Sequence, residues 1–139
     1  MKTRTLILSL ILLSVVLVAG QKSTAEEIHG TWVNPEYNKS NQWAKVIFKP
    51  DGTWELYDHE SYEEPSRTGM FTIVDKWIDS EGFINYKITI VIDIINRTKY
   101  HLYKLSNSES TLEDMFDSRD HPTEINSNSA LYRIYYRQE

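Results

Sequence analysis

The sequence predicts an all-β fold: a single eight-stranded antiparallel up-and-down barrel over residues 21–139, preceded by a signal peptide at residues 1–20. Three observations point to it. Apolar, aromatic and β-branched residues recur with period two rather than at helical spacing. Tight turns alternate along the chain with long connections, the pattern of a barrel with one pinched and one open end. Closure also removes the exposed edges that a flat sheet of eight strands would leave.

The chain opens with Lys2 and Arg4, followed by an apolar run, Leu6 to Ala19, broken only by Ser9 and Ser14. A helix of that length falls short of the roughly 20 residues a membrane span needs. A charged start, a short apolar core and small residues at its end make a secretory signal. Cleavage is expected after Gly20, with Val18 and Gly20 at the −3 and −1 positions, and alternatively after Ala25. Val18-Ala19-Gly20 resembles the run before the lipid-modified cysteine of bacterial lipoproteins, but Gln21 offers no thiol to acylate. The chain has no cysteine, whereas small eukaryotic secreted domains usually lean on disulfides. A bacterial protein, exported to the periplasm or beyond without a membrane anchor, is therefore expected. Loss of Lys2 and Arg4 leaves 13 of the 15 basic residues against 20 acidic ones, a net charge of −7. That balance argues against nucleic acid and anionic membrane as partners.

Eight strands follow in order: Ile28–Asn34, Trp43–Lys49, Thr53–Asp58, Gly69–Asp79, Ile84–Ile94, Thr98–Leu105, Thr111–Phe116 and Ala130–Gln138. The fifth shows the alternation best, with Ile84, Tyr86, Ile88, Ile90, Ile92 and Ile94 on one face. Pro50-Asp51-Gly52 joins the second and third strands. Proline presets φ and glycine accepts positive φ, so a type I turn with a bulge is predicted. That turn opposes Lys49 to Thr53 and pairs Phe48 with Trp54 and Val46 with Leu56. Ser80-Glu81-Gly82 and Ser106–Glu109 make the other tight turns at the same end. The connections Pro35–Gln42, His59–Thr68 and Asp117–Ser129 are long and fall at the opposite end, with only the turn at Asn96 short.

The register of the fourth and fifth strands stays open. If the Gly82 turn copies the Gly52 turn, Ile78 pairs with Ile84 and Val74 with Ile88. Phe71, Ile73 and Trp77 then face outward and offer a patch for a protein partner or for self-association. A slip of one residue buries them instead.

The first strand carries Gly30-Thr31-Trp32, which resembles the Gly-x-Trp signature of the lipocalin-like (calycin) family, in its bacterial exported type. The resemblance implies that Trp32 sits at the closed end of the barrel, with a basic residue of the last strand packed across it. Strand direction places Arg137 there, or Arg133 four residues earlier on the same face. The chain departs from typical lipocalins in being shorter, lacking cysteine and showing no helix beside the last strand.

No Gly-x-Ser-x-Gly, His-Glu-x-x-His, Gly-rich phosphate loop or cysteine nucleophile is present. His29, His59, His101 and His121 have no ligand spacing. Asp114, Asp117 and Asp120, with His121 after them, are spaced every third residue, without the glycine and alternate spacing of a calcium loop. Glu60, Glu63 and Glu64 read as a solvated loop. The expectation is thus no catalysis, metal or cofactor, and a role in binding or carrying a small apolar molecule. Trp32, Val46, Phe48, Trp54, Leu56, Tyr86, Ile88, Ile90, Tyr103 and Leu105 are the candidate lumen lining, and they either surround a ligand or fill the barrel. The alternative function is an interaction protein, working through mouth loops or an outer aromatic face, with a filled barrel. Around the mouth, Glu36, Asp58, Glu60, Glu63, Glu64, Asp117, Asp120 and Glu124 outnumber Lys39, Arg67, Arg97 and Arg119. A neutral or cationic ligand is therefore expected, of quinone-like, terpenoid or amine-bearing type.

Overall fold

The computed structural model describes residues 26–36, 43–59 and 61–139. The expected signal segment, both cleavage positions, Lys39 and Glu60 lie outside them. The described chain forms β1 (Gly30–Val33), β2 (Lys45–Phe48), β3 (Thr53–Tyr57), β4 (Arg67–Ile78), β5 (Ile84–Ile92), β6 (Arg97–Leu105), β7 (Thr111–Asp117) and β8 (Tyr132–Gln138). Each strand pairs antiparallel with the next, and β8 pairs with β1, so the sheet closes into a barrel in sequence order.

The tight turns set the pairing. At the first, the Lys49 N–H donates to the Thr53 carbonyl at 2.9 Å and the Gly52 N–H to the Lys49 carbonyl at 3.0 Å. Gly52 has φ +87°, open to glycine at little cost. Phe48 then faces Trp54 and Val46 faces Leu56. The Gly82 turn repeats the pattern, with φ +86° and the Asp79 N–H donating to the Phe83 carbonyl at 3.0 Å.

β4 and β5 use both registers that the sequence left open. Next to the turn Ile78 pairs with Ile84 and Trp77 with Asn85, but Val74 has no partner, and beyond it Ile73 pairs with Ile88 and Phe71 with Ile90. Val74 is a β-bulge, and one extra residue turns the following side chains to the other face. The outward patch of Phe71, Ile73 and Trp77 is therefore not formed. Phe71 is buried and Ile73 packs against the core. Trp77 alone stays on the outer wall, while Met70 and Val74 are exposed. The fifth strand also ends sooner than its alternation implies: Ile94 lies in the turn and is 79% exposed.

The long connection after β7 does not stand over the mouth. His121 Nδ1 donates to the His101 carbonyl at 3.1 Å, and its Nε2 lies 3.3 Å from Thr89 Oγ1. Its ring meets Tyr100 edge-on at 5.2 Å. Thr123, Glu124 and Ile125 border a groove with Trp77, Asn85, Leu102 and Lys104. This loop thus runs down the outside of β5 and β6 and takes Glu124 away from the rim.

At the closed end the chain before β1 plugs the barrel. The Trp32 indole N–H donates to the Ile28 carbonyl at 2.8 Å. The Arg137 guanidinium lies 4.3 Å above the Trp32 ring. It also donates to the carbonyls of Glu27, His29 and Glu109. Gly30 leaves room for it: a Cβ there would stand 3.0 Å from Arg137 Nη1, and φ is +127°. The Gly-x-Trp pattern thus has a local physical basis, in which glycine makes space for the cation that covers the indole.

The Glu27 carboxylate accepts from Lys76 Nζ at 2.6 Å and from the Tyr86 hydroxyl at 2.8 Å. The Lys76 bond, then the residue's own backbone N–H and the Tyr86 hydroxyl, lower its pKa from 4.5 to about 2. Because the folded value lies below the unfolded one, this contribution is complete above about 4.5 and is lost as pH falls toward about 2. Glu27→Gln should flatten the acid limb of a stability-versus-pH curve in that window. Parallel acid limbs for the variant and the parent would refute the assignment.

Candidate functional site

Alternation points one face of every strand into the barrel. All ten candidate lining residues, Trp32, Val46, Phe48, Trp54, Leu56, Tyr86, Ile88, Ile90, Tyr103 and Leu105, are at most 1% exposed. They belong to one apolar cluster with Ile28, Phe71, Ile92, Leu112 and Tyr135.

Their rings fill the lower lumen. Phe48 of β2 meets Tyr103 of β6 edge-on at 5.4 Å and Phe71 of β4 at 5.1 Å. β2 and β6 are four strands apart in an eight-stranded barrel, so the Phe48–Tyr103 contact crosses its diameter. The column continues upward. His101 lies parallel to Tyr103 at 5.1 Å and stacks on Phe116 at 5.5 Å. Phe116 stacks on Trp43 at 5.6 Å, and Trp43 meets Trp54 edge-on at 6.3 Å. Trp43 and Phe116 are only half-buried and end the column on its mouth side.

A polar set interrupts the apolar interior. His101 Nδ1 and Asp114 Oδ1 share a hydrogen bond of 2.8 Å, and both side chains are fully buried. Asp114 faces Tyr103 on one side and Arg133 on the other. The Arg133 guanidinium lies 5.8 Å over Phe116, and its Nη1 donates to the Ala130 and Tyr132 carbonyls. Arg133 therefore serves the upper lumen, while Arg137 holds the closed end. Burial, followed by the nearby Asp114 charge, pushes the Tyr103 and Tyr135 hydroxyls well above their ordinary range, so both remain protonated donors. Four buried polar atoms of described residues have no partner: Trp54 Nε1, Asp114 Oδ2, Arg133 Nε and the Tyr135 hydroxyl.

Sequence reasoning grouped Asp114 with Asp117, Asp120 and His121. The barrel separates them: Asp114 points inward and His121 lies on the outer wall. The signal that locates the His101–Asp114 pair is alternation. His101 shares a face with Tyr103, and Asp114 shares one with Leu112 and Phe116.

The mouth carries two opposed fields. Register puts Arg67 opposite Leu56, Arg97 opposite Ile92, Lys99 opposite Ile90 and Arg133 opposite Asp114, all on inward-facing positions. Lys99 Nζ lies 5.7 Å over the Phe116 ring. The acidic excess counted over the mouth loops thus surrounds inward positions that are mostly basic.

Comparisons with protein-family models, with curated proteins and with solved structures find no match to this chain.

Proposed function

We propose that this is an exported binding barrel that holds a small, ring-bearing apolar molecule in the mouth-side part of its lumen, without catalysis or cofactor. The observation that carries this reading is the half-buried Trp43–Phe116 stack on top of a column of buried rings. Aromatic faces at the top of a dry column favour flat guests, because ring stacking adds about 0.5–1.5 kcal/mol beyond area burial. The closed end supports kinship with the lipocalins, through Gly30, Trp32 and the Arg137 cover.

A panel of flat ring compounds and straight-chain alcohols of similar hydrophobicity tests this by tryptophan quenching and thermal shift. Ring compounds should quench fluorescence and raise the unfolding midpoint, and alcohols should not. Trp43→Ala should weaken ring binding about tenfold, the equivalent of about 1.4 kcal/mol. Absence of binding by every ring compound would overturn the proposal.

A second reading rests on the exposed Met70, Val74 and Val91 of β4 and β5 beside Ile94 and Ile95, an apolar strip suited to a protein partner. It predicts that Val74→Lys abolishes association while leaving ring-compound binding unchanged. Sedimentation of the parent as a monomer at high concentration, with no partner captured, would count against it.

A further inference from the structure

Resting on the lumen-binding reading, one further step concerns the chemistry of the guest's polar end. The lumen holds three unpartnered donors and one unpartnered acceptor: Trp54 Nε1, Arg133 Nε and the Tyr135 hydroxyl against Asp114 Oδ2. Trp54, Asp114 and Tyr135 are at most 1% exposed. A buried polar atom without a partner costs about 1–3 kcal/mol, and native interiors leave few such atoms. Four in one lumen form a donor and acceptor set that complements a polar group. They also belong together. Asp114 and Arg133 are register partners. Arg133 lies over Phe116, Phe116 stacks on Trp43, and Trp43 touches Trp54. The Tyr135 hydroxyl in turn feels the charges of Asp114 and Arg133, so the four residues form one connected set below the Trp43–Phe116 platform.

The charges narrow the class. A full negative charge would meet Asp114, whose second oxygen is already uncompensated. A full positive charge would meet Arg133 and Lys99. A neutral head that both donates and accepts meets neither objection.

We propose that the barrel selects a neutral aromatic guest whose head group carries adjacent hydrogen-bond donor and acceptor atoms, of carboxamide type, the donor meeting Asp114 Oδ2 and the acceptor meeting Trp54 Nε1, Arg133 Nε or the Tyr135 hydroxyl. The expected carrier of specificity is thus a set of residues distinct from the apolar lining.

Three probes of one ring size test this: 2-naphthamide, 2-methylnaphthalene and 2-naphthoate, titrated against the full barrel and against Tyr135→Phe. This substitution removes one polar atom that has no protein partner and keeps the ring, so the fold should persist. The parent should bind 2-naphthamide at least about tenfold tighter than 2-methylnaphthalene. The variant should lose several-fold of that preference without changing the affinity for 2-methylnaphthalene. Equal affinity of the parent for these two probes would overturn the head-group inference and leave the lumen reading standing. Preference for 2-naphthoate would overturn the neutral class in favour of an anion held by Arg133 and Lys99. No binding of any probe would remove the lumen reading itself. A bridging water between Asp114 and Tyr135 that persists at saturating 2-naphthamide would also overturn the inference, since the set would then be satisfied by solvent.

Discussion

Trp32→Ala should destabilise the barrel by about 3–5 kcal/mol, the range for emptying a large buried aromatic site. The indole is fully buried, donates to the Ile28 carbonyl and carries the Arg137 guanidinium on its face. Its removal opens the floor of the barrel and strips the cation of its platform. Arg137→Ala should cost about 2 kcal/mol. It loses a cation–π contact worth about 0.5–2 kcal/mol and unpairs three carbonyls near the closed-end surface, where water can replace part of the loss. The double variant should cost less than the sum, because the two side chains touch. Urea unfolding of the four proteins measures the coupling, and strict additivity would show that the stack contributes nothing.

Gly69→Ala should be comparably damaging for a different reason. A Cβ at Gly69 would stand 2.2 Å from the Val91 carbonyl oxygen, 3.1 Å from its carbon and 3.3 Å from Ile92 Cα. These are backbone atoms of the neighbouring strand, so β4 and β5 would have to part. Overpacking a fitted site costs about 1–3 kcal/mol and occasionally more, and a rigid obstacle places this case at or above the upper bound. Gly82→Ala is the control. Its φ of +86° strains any L-residue, at roughly 1–2 kcal/mol, but the nearest atoms belong to the Asn107 side chain, which can move. Gly69→Ala should therefore lower the urea midpoint distinctly more than Gly82→Ala. Equal midpoints would show that the strand approach at Gly69 relaxes freely.

The strands and their closed-end turns were legible because their signals are local. Pro50-Asp51-Gly52 states a turn, and that turn dictates the Phe48–Trp54 and Val46–Leu56 pairs two and four residues away. The Val74 bulge was not legible, since both registers of β4 satisfy alternation over part of its length. Only the closed barrel decides where one gives way to the other. The path of residues 118–131 was equally hidden. His121 reaches Thr89 and the His101 carbonyl through contacts 32 and 20 residues distant in sequence, with no periodic signature. That path also explains why counting charges by loop misjudged the mouth. Glu124 leaves the rim with its loop, while Lys99 and Arg133, sited on strands, face inward. The inward pair His101 and Asp114 could be found from alternation alone, but their hydrogen bond needed the β6–β7 register.

On the proposed reading, a guest enters the lumen from the mouth and rests against Trp43 and Trp54. The four tryptophans report on it separately. Trp32 lies at the floor, Trp43 ends the ring column on its mouth side, Trp54 has an unpartnered indole N–H in the lumen, and Trp77 lies on the outer wall. Titration with 2-naphthamide, followed by the indole N–H resonances in a proton–nitrogen correlation spectrum, addresses all four sites at once. The Trp43 and Trp54 resonances should move together and saturate with one dissociation constant, while those of Trp32 and Trp77 stay in place. Movement of Trp77 alone, or no movement of any of the four up to the solubility limit of the probe, would contradict it.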